Sequence, residues 1–285
     1  MTSNDFAVIA AFLKERSGLI ISEDKTYLLE TRLSGILREH SVAGLSGLAE
    51  LLRQPGPHAV KGKVVDAMTT NETSFFRDSH PFDTLRQSLI PKMIERRAGA
   101  RSLRIWSAAC STGQEPYSLA MMMKDNFPIL AGWKVEIVAT DLSPTVLDRA
   151  REGVYSTFEV QRGLPIQMLV RHFEQEEPNW RIKRELRQTV SFRPLNLLED
   201  FSSLGQFDIV LCRNVLIYFD QPTKTRVLNG ISRRIAPDGA LLLGGAESVF
   251  GLCNALAALP GLKGVYGHAG SFKPVSPVRQ LSAAS

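Results

Sequence analysis

The apolar positions in the first 95 or so residues recur at helical spacing. The first predicted helix follows Asn4, which can serve as its N-cap, and carries Phe6, Ile9 and Leu13 on one face. A second is predicted after Ser22, with apolar residues at Leu29, Leu33, Ile36 and Leu37. The N-terminal third of the chain is therefore predicted to be all-α.

The pattern changes at residue 102, where wholly apolar segments begin to alternate with amphipathic ones. The segments that resemble buried strands are LRIWSAA, KVEIVATD, FDIVLCRN and ALLLGGAE. Apolar strands that alternate with helices are typical of a parallel sheet covered by helices on both faces. The sequence thus predicts an α/β domain after the helical one.

This alternation stops between about residues 153 and 192, where NWRIKREL and QTVSFRPL resemble short antiparallel strands. We interpret this segment as a small β-subdomain inserted into the α/β domain. The predicted organisation is a helical domain at 1–75, a linker and connecting helix at 76–98, the α/β domain at 99–270, and a flexible Pro- and Ser-rich tail at 271–285.

The composition narrows the class of protein. The chain has 285 residues, of which 44% are hydrophobic, but no apolar run approaches the roughly 20 residues that cross a bilayer, so we expect no membrane insertion. The three cysteines form no CxxC pair and the five histidines no HExxH motif, so we expect reduced thiols, no metal site and a cytoplasmic location. A net charge of +5 fits either a mildly basic surface or an anionic partner.

The turn after the first predicted strand reads AACSTGQEP. In a doubly wound sheet, ligands bind at the carboxyl ends of the strands, where the strand order reverses, and this turn usually lies there. Small residues such as Ala109 and Gly113 let a ligand approach the backbone closely. Glu115 would repel a phosphate but attract an amino group or a sugar hydroxyl. The turn therefore argues against a nucleotide bound through phosphate.

Asp141 ends the next predicted strand, where an acid commonly accepts the ribose hydroxyls of a nucleoside cofactor. The alternative is that Asp141 only caps the following helix, but Ser143 can do this equally well. A small-residue turn followed by two acids suggests S-adenosylmethionine, which has a ribose and a zwitterionic tail but no phosphate. The GxGxxG motif of dinucleotide enzymes is absent from the sequence.

Taken in order, TNETSFFRD, CSTGQEPYS, ATDLSP, the NLL at residues 196–198 and CRNVLIYFD resemble the motifs of the bacterial chemotaxis-receptor glutamate O-methyltransferases. The resemblance extends from the helical domain to GGAES. It implies a Rossmann-like, S-adenosylmethionine-dependent methyltransferase domain with an inserted antiparallel β-subdomain, preceded by an all-α domain. It also implies that receptor glutamates are the methyl acceptors in chemotactic adaptation, with S-adenosylhomocysteine as the product.

The resemblance assigns functional residues as well. The cofactor contacts carried over are Asn71, Thr73, Arg77, Ala109, Glu115, Asp141, Leu142, Asn196, Leu197, Arg213 and Asn214. Arg77 and Tyr218 match the residues that the family places beside the methyl group and the acceptor, and we predict that they are catalytic. The alternatives are an interdomain salt bridge for Arg77 and a core aromatic for Tyr218.

Other functions stay open on the sequence alone. Methyltransferases that act on nucleic-acid bases typically carry Asn/Asp-Pro-Pro-aromatic near the strand end at which Asn214 is followed by Val215 and Leu216. This difference argues against a nucleic-acid substrate, and we expect no nucleic-acid partner. Another alternative is a signalling module that binds S-adenosylmethionine without catalysis, although Arg77 and Tyr218 argue against it. A third alternative is a methyltransferase that acts on another acidic protein.

The second helix also presents basic residues, Lys25, Arg32 and Arg38. Such charges usually form only a solvated face. The family, however, uses its N-terminal domain to dock on receptors, so we expect these three residues to contact the acidic cytoplasmic helical domain of a chemotaxis receptor. We expect the enzyme to be a monomer.

One segment departs from part of the family. Some members hold a C-terminal receptor peptide on a glycine-rich loop of the inserted subdomain. The corresponding segment here, FEQEEPNW, has no glycine and carries Glu174, Glu176 and Glu177. We therefore predict a pentapeptide-independent enzyme, with no peptide tether.

Overall fold

The structure is a computed structural model that describes residues 1–56 and 59–270. The N-terminal helices are α1 (Ser3–Ser17), α2 (Thr26–Glu39), α3 (Gly44–Arg53) and α4 (Ala59–Met68). Their buried faces form a core of their own, which includes Ile9, Leu13, Leu29, Leu33 and Leu48. The all-α prediction for this part of the chain is confirmed. The tail predicted at 271–285 lies outside the described residues.

The helix starts differ from the predicted caps. Thr2, rather than Asn4, caps α1: its Oγ1 accepts from the backbone N–H of Asp5 at 3.2 Å, while the Asp5 carboxylate accepts from the N–H of Thr2 at 3.1 Å. This reciprocal pair satisfies two N–H groups that the helix leaves without partners. Ser22 precedes a 3₁₀ turn, Glu23–Lys25, and its side chain makes no cap hydrogen bond with the described residues.

A connecting helix leads into the α/β domain. It consists of α5 (His80–Thr84), a π-helical turn at Leu85–Leu89 and α6 (Ile90–Arg96). The longer helices of the α/β domain are α7 (Gln114–Asn126), α8 (Pro144–Glu152) and α12 (Gln221–Ser232). The shorter ones are α9 (Thr157–Gln161), α10 (Ile166–His172) and α11 (Arg184–Arg187).

The strands are β1 (Ser102–Ala108), β2 (Lys134–Asp141), β3 (Val154–Ser156), β4 (Phe173–Glu176), β5 (Asn179–Ile182), β6 (Val190–Pro194), β7 (Phe207–Cys212), β8 (Ile235–Leu243), β9 (Leu256–Ala258) and β10 (Val265–His268). Within the described residues, seven of them form the main sheet in the order β6-β2-β1-β7-β8-β10-β9. The strands from β6 to β8 are parallel, and β10 runs antiparallel to β8. The predicted Rossmann-like domain is confirmed.

The order of the strands places a switch point in the middle of the sheet. The chain moves from β1 to β2 on one side and later returns to β7 on the other side of β1. Apolar side chains cover both faces, with Ile105 and Ile209 on one and Trp106 and Val210 on the other. The crevice at the carboxyl ends of β1, β2 and β7 is where such a sheet binds ligands.

The inserted antiparallel sheet is confirmed, but one of its predicted strands is wrong. The inserted sheet has the order β3-β5-β4 and contains NWRI of the predicted segment. QTVSFRPL instead supplies β6, which pairs in parallel with β2 at the edge of the main sheet. In β6, Val190 and Phe192 pack on the core, while Ser191 and Arg193 alternate with them. The strand therefore shows the same apolar–polar alternation as a half-exposed antiparallel strand. The predicted insert boundary at 192 therefore falls inside β6.

No helix within residues 1–56 and 59–270 is long and apolar enough to cross a membrane. Nowhere in the same ranges do three or more His, Cys, Asp or Glu side chains come together as a set that could hold a metal ion.

Candidate active site

A cleft of about 1010 Å³, counted out to open solvent, lies at the carboxyl ends of β1, β2 and β7. It is lined by every residue that the sequence assigned to the cofactor or to catalysis: Asn71, Thr73, Arg77, Ala109, Glu115, Asp141, Leu142, Asn196, Leu197, Arg213, Asn214 and Tyr218. The structure thus brings together segments more than 140 residues apart in the sequence.

Every second residue of the turn after β1 has a left-handed backbone conformation. Ala109, Ser111 and Gly113 all have positive φ, at 57°, 50° and 94°. Non-glycine residues seldom adopt this conformation, and it costs about 1–3 kcal/mol where it is strained. The Oγ of Ser111 donates to the carbonyl of Asn71 at 2.8 Å, which ties the turn to the TTNETS segment. The turn and this segment therefore form one connected part of the cleft wall.

Asp141 lies almost wholly buried at the tip of β2, with 7% of its surface exposed. Its Oδ2 accepts from the N–H of Ser111 at 2.8 Å, and its Oδ1 accepts from the N–H of Ser143 at 3.0 Å. Burial raises the pKa of Asp141, against the opposing effect of these N–H donors. Ser143 caps α8 through Val146, as expected. Asp141 is nevertheless not free, because it also holds the turn after β1.

Glu115 accepts hydrogen bonds on both carboxylate oxygens: the Oγ of Ser107 donates at 2.7 Å and Nη1 of Arg213 at 2.8 Å. Arg213 follows β7, and its Nη2 donates to the carbonyl of Arg77 at 2.7 Å and to the Asp78 carboxylate at 2.9 Å. Its side chain is 2% exposed. Arg213, which the resemblance gave as a cofactor contact, thus forms a direct ion pair with Glu115 in the wall of the cleft.

Arg77 stands in a strained loop. Its neighbours Phe76, Asp78 and Ser79 have φ values of 49°, 67° and 40°. The guanidinium Nη1 of Arg77 donates to the backbone carbonyl of Glu72 at 2.7 Å. The Arg213 contact to the carbonyl of Arg77 holds the same loop from the other side. Strain of this kind persists only where surrounding contacts fix the backbone.

Tyr218 ends a 3₁₀ turn, Leu216–Tyr218, and is half-buried against the cleft. Its backbone carbonyl accepts from the N–H of Ile20 at 3.0 Å. The segment between α1 and α2 thereby lies against the cleft, which is lined by Leu19 and by Ser17, the last residue of α1. Sequence reasoning missed these two residues, because nothing in the α1–α2 connection indicates which surface of the other domain it touches.

Comparison with known proteins decides the family. The family described as "CheR methyltransferase, SAM binding domain" matches residues 71–264, and "CheR methyltransferase, all-alpha domain" matches residues 4–69.

The chain belongs to the CheR methyltransferase family.

Several relatives share most of its length. The chain is 43% identical over 250 residues to "Chemotaxis protein methyltransferase 1" of Pseudomonas aeruginosa, which covers 86% of this chain and 90% of that protein. It is 42% identical over 253 residues to "Chemotaxis protein methyltransferase Cher2" of Pseudomonas putida, at 87% and 91% coverage. It is 32% identical over 265 residues to "Chemotaxis protein methyltransferase" of Borreliella burgdorferi, at 91% and 93% coverage.

The cofactor of a CheR methyltransferase is S-adenosylmethionine, and the cleft has the groups to fit it. Two carboxylates, Asp141 and Glu115, line the cleft, and carboxylates would suit the ribose hydroxyls and the amino group of this cofactor. Leu142 and Leu197 add apolar surface, which suits a flat adenine ring. The turn after β1 carries an acid where a phosphate-binding site would need donors alone. The donor set therefore matches a phosphate-free nucleoside.

The basic residues predicted for receptor docking in this CheR methyltransferase do not form one stripe. Lys25 lies in the 3₁₀ turn before α2, and at about 100° per residue Arg38 is about 120° around α2 from Arg32. Both Lys25 and Arg38 are exposed.

Arg32 is already engaged within the chain. Its Nη1 donates to the carbonyls of Met68 at 2.9 Å and Thr69 at 3.1 Å, and its Nη2 donates to Oγ1 of Thr70 at 3.3 Å. The guanidinium supplies hydrogen-bond donors to carbonyls that the C-terminal end of α4 leaves without partners, and its positive charge complements the dipole of that helix. Arg32 thus fixes the start of the TTNETS segment that lines the cleft.

Proposed function

We propose that this chain transfers the methyl group of S-adenosylmethionine to glutamate side-chain carboxylates on the cytoplasmic helical domain of chemotaxis receptors. The products would be glutamate methyl esters and S-adenosylhomocysteine. The observation that carries the proposal is the cleft in which Arg77 and Tyr218 lie together with Glu115 and Asp141. The names of the relatives, which are chemotaxis protein methyltransferases, support the receptor as the substrate.

The nucleoside end of the cleft positions the donor. Asp141 keeps lone pairs on both oxygens beyond the N–H bonds it accepts, and it uses them for the ribose hydroxyls. Glu115, its charge shared with Arg213, binds the amino group of the methionine part. Leu142, Asn196 and Leu197 border the adenine. When bound, S-adenosylmethionine supplies a methyl group attached to positively charged sulfur. As the acceptor oxygen forms its bond to the methyl carbon, the S–C bond breaks and its electron pair stays on sulfur.

The acceptor end requires alignment rather than proton transfer. A glutamate carboxylate, with a reference pKa of about 4.3, is already ionised at neutral pH. The residues of this chain therefore need only hold it in line with the methyl group. Arg77 presents a planar fork that suits a carboxylate, and the group its Nη1 binds within the chain is a neutral backbone carbonyl, that of Glu72. Tyr218 orients the acceptor from the other side through its hydroxyl and ring.

The N-terminal domain is the proposed docking element for the receptor. Lys25 and Arg38 are exposed on it, and the methylated region of a receptor is acidic. Rim charges of this kind mainly speed association and depend on salt. We assign Arg32 a different role, because its guanidinium binds the end of α4.

The test is transfer of radiolabelled methyl from S-adenosylmethionine to membranes that contain candidate receptors, followed by release of methanol in base. Label that is released in base supports a glutamate ester. Binding of S-adenosylhomocysteine without any transfer would favour a signalling module instead. Label on nucleic acid but not on receptor would overturn the proposed substrate.

A further inference from the structure

The loop that carries Asn214 and Tyr218 is held by one carboxylate to which neither the assigned site residues nor the proposed mechanism gives a role. The backbone N–H groups of Asn214, Val215 and Leu216 donate to Glu247 at 2.8, 3.0 and 2.7 Å. Glu247 lies in the turn after β8, more than 30 residues further along the chain. Its Oε2 also accepts from the N–H of Gly244 at 2.8 Å.

Glu247 suits this position because of the backbone conformation. Asn214 has φ of 58°, in the left-handed region. A left-handed residue among successive N–H groups makes a concavity that binds anions. A carboxylate only accepts, and it has about four lone-pair positions, so one glutamate can satisfy all four donors. A glutamine would offer one oxygen and turn an NH₂ group toward the remaining N–H groups.

The loop held in this way lines the reaction cleft. Asn214, Val215 and Tyr218 all contribute to its wall. The N–H of Tyr218 donates to the carbonyl of Val215 at 3.2 Å, so the position of Tyr218 depends on the part of the loop that Glu247 binds. A shift at Glu247 is therefore transmitted to both the cofactor side and the acceptor side of the cleft.

We propose that Glu247 is a positioning residue for methyl transfer: its carboxylate fixes the Asn214–Leu216 backbone and, through it, Asn214 and Tyr218. The inference rests on the proposed function for its catalytic consequence. Its consequence for cofactor affinity holds whatever the methyl acceptor is.

The chain offers a matched pair of variants. A Cβ added at Gly244 would lie 2.7 Å from Oε2 of Glu247 and 2.9 Å from the N of Asn214. A Cβ added at the adjacent Gly245 meets nothing within 4 Å. Gly244→Ala therefore forces the Glu247 carboxylate and the Asn214 backbone apart, whereas Gly245→Ala changes the same turn without touching either.

The experiment measures three quantities for full-length Glu247→Gln, Gly244→Ala and Gly245→Ala: kcat on receptor at saturating cofactor, the Kd of S-adenosylhomocysteine by calorimetry, and Tm. We expect Glu247→Gln and Gly244→Ala to lower kcat at least tenfold and to raise Kd at least threefold. Gly245→Ala should stay within twofold of the wild type in both. If Glu247→Gln does not fold, the comparison of the two alanine variants decides.

Asp208→Asn distinguishes a positioning role from a purely structural one. The Asp208 carboxylate binds the N–H of Arg104 at 2.8 Å and Nε of Arg97 at 2.7 Å, at the opposite end of β7 from the cleft. This variant should lower Tm while kcat and Kd remain within twofold. Equal losses in Asp208→Asn, or unchanged kcat and Kd in Glu247→Gln and Gly244→Ala, would overturn the proposal. If the wild type methylates no receptor, the proposed function fails, and the Kd comparison alone decides the role of Glu247.

Discussion

Arg213 and Glu115 form an ion pair of 2.8 Å that joins the end of β7 to the start of α7. Their side chains are 2% and 12% exposed, so the pair is shielded from solvent. The two residues flank the switch point of the sheet, and Arg213 also reaches the loop of Arg77. Arg213 therefore positions both the carboxylate that we propose for the cofactor and the loop that we propose for the acceptor.

Glu115→Gln tests this link. The substitution leaves the buried guanidinium of Arg213 with Asp78 as its remaining carboxylate partner. Removing one member of a buried ion pair costs about 3 kcal/mol or more where the other charge is left unpaired. Because Asp78 still pairs with Arg213, the free energy of unfolding should fall by less, about 1–3 kcal/mol. The Kd of S-adenosylhomocysteine should rise at least tenfold, which is about 1.4 kcal/mol, because the acid for the amino group is lost. Denaturant unfolding and calorimetry measure the two effects.

The matched control is Glu136→Gln. Glu136 pairs with Arg104 at 2.7 Å on the main sheet, and neither residue lines the cleft. This variant should lose stability without a change in Kd. An unchanged Kd in Glu115→Gln would remove Glu115 from the cofactor site.

Asp141→Asn should weaken product binding at least tenfold, about 1.4 kcal/mol, because an amide oxygen replaces a carboxylate toward the ribose hydroxyls. The asparagine side chain would also face one of the two backbone N–H groups, that of Ser111 or that of Ser143, with its NH₂ group instead of an oxygen. The turn after β1 should therefore be destabilised by about 1–3 kcal/mol. Ser143→Ala, which removes only the cap of α8, is the control and should leave Kd near the wild-type value. Equal Kd for wild type and Asp141→Asn would contradict the ribose role.

The pH dependence of the same residue has a defined sign. Burial raises the pKa of Asp141 above its usual value, so the folded chain holds this proton at pH values where the unfolded chain has lost it. The stability that the protonated group contributes is present below the usual pKa of 3.8 and is lost as the pH rises through the raised pKa. Product affinity should change in the opposite direction, falling on acidification, because the ionised carboxylate is the better acceptor. Calorimetry across pH on wild type and Asp141→Asn isolates this effect, which the variant should lack.

Arg77→Ala should lower kcat about 100-fold, or about 2.7 kcal/mol, and Tyr218→Phe about tenfold, because both residues align the acceptor. Stability should fall by only about 1 kcal/mol in Arg77→Ala, which loses one hydrogen bond to Glu72. The control is Arg86→Ala, which removes an exposed pair with Asp83. Single-turnover methyl transfer measures the rates. Near-wild-type turnover in either variant would leave that side chain without a catalytic role.

The residues at the ends of buried strands could be predicted from the sequence. Asp141 and the turn before Glu115 follow wholly apolar strands, and parallel strands bring their carboxyl ends to one edge. β6 was predicted to belong to the inserted sheet but joins the main sheet. Its apolar–polar alternation indicates which side chains are buried, but not which sheet the strand pairs with. Contacts across the domain boundary, such as Ile20 to Tyr218, have no periodic signal at all.

Arg32 and Glu247 show a second limit. The sequence shows that a charge is present, but not whether it faces solvent or backbone. Arg32 carries the residue type expected for a receptor contact, yet it binds the carbonyls at the end of α4. Glu247 lies in a polar segment after a strand, and its four N–H partners become visible only in the folded chain.

The basic residues of the N-terminal domain can now be tested separately. Arg38→Glu and Lys25→Glu should raise KM for receptor, and added salt should reduce the difference from wild type, because exposed charges act over a screened distance. Neither should change Tm or the Kd of S-adenosylhomocysteine. Arg32→Lys keeps the charge but loses part of the fork that binds Met68 and Thr69, so it should lower Tm and weaken product binding. Unchanged KM in both reversal variants would place the receptor contact elsewhere.

The inserted subdomain should bind no receptor C-terminal pentapeptide. A tether of this kind adds an extended peptide to a sheet edge and gains from effective concentration. The inserted sheet has β3 at one edge and β4 at the other. β4, which carries the glutamates, is joined to β5 by a tight turn at Glu177–Pro178, with Glu176 opposite Asn179. That hairpin has no loop able to close around a peptide. Glu174 and Glu176 lie on one face of β4, and the 2.5 Å ion pair of Glu176 with Arg181 neutralises only part of this charge.

An acidic pentapeptide would therefore meet like charge along β4, and charged edges are a common way to prevent strand addition. We expect flat calorimetric titrations with such peptides, and equal methylation rates for receptors with and without them. Glu174→Lys distinguishes the two reasons for the absence of binding. If charge alone prevents binding, this variant should bind the peptide weakly. If the closed hairpin prevents it, the variant should show no binding either. A micromolar isotherm with the wild-type chain would show that β4 or another edge of the insert accepts the peptide, and that the enzyme is tethered after all.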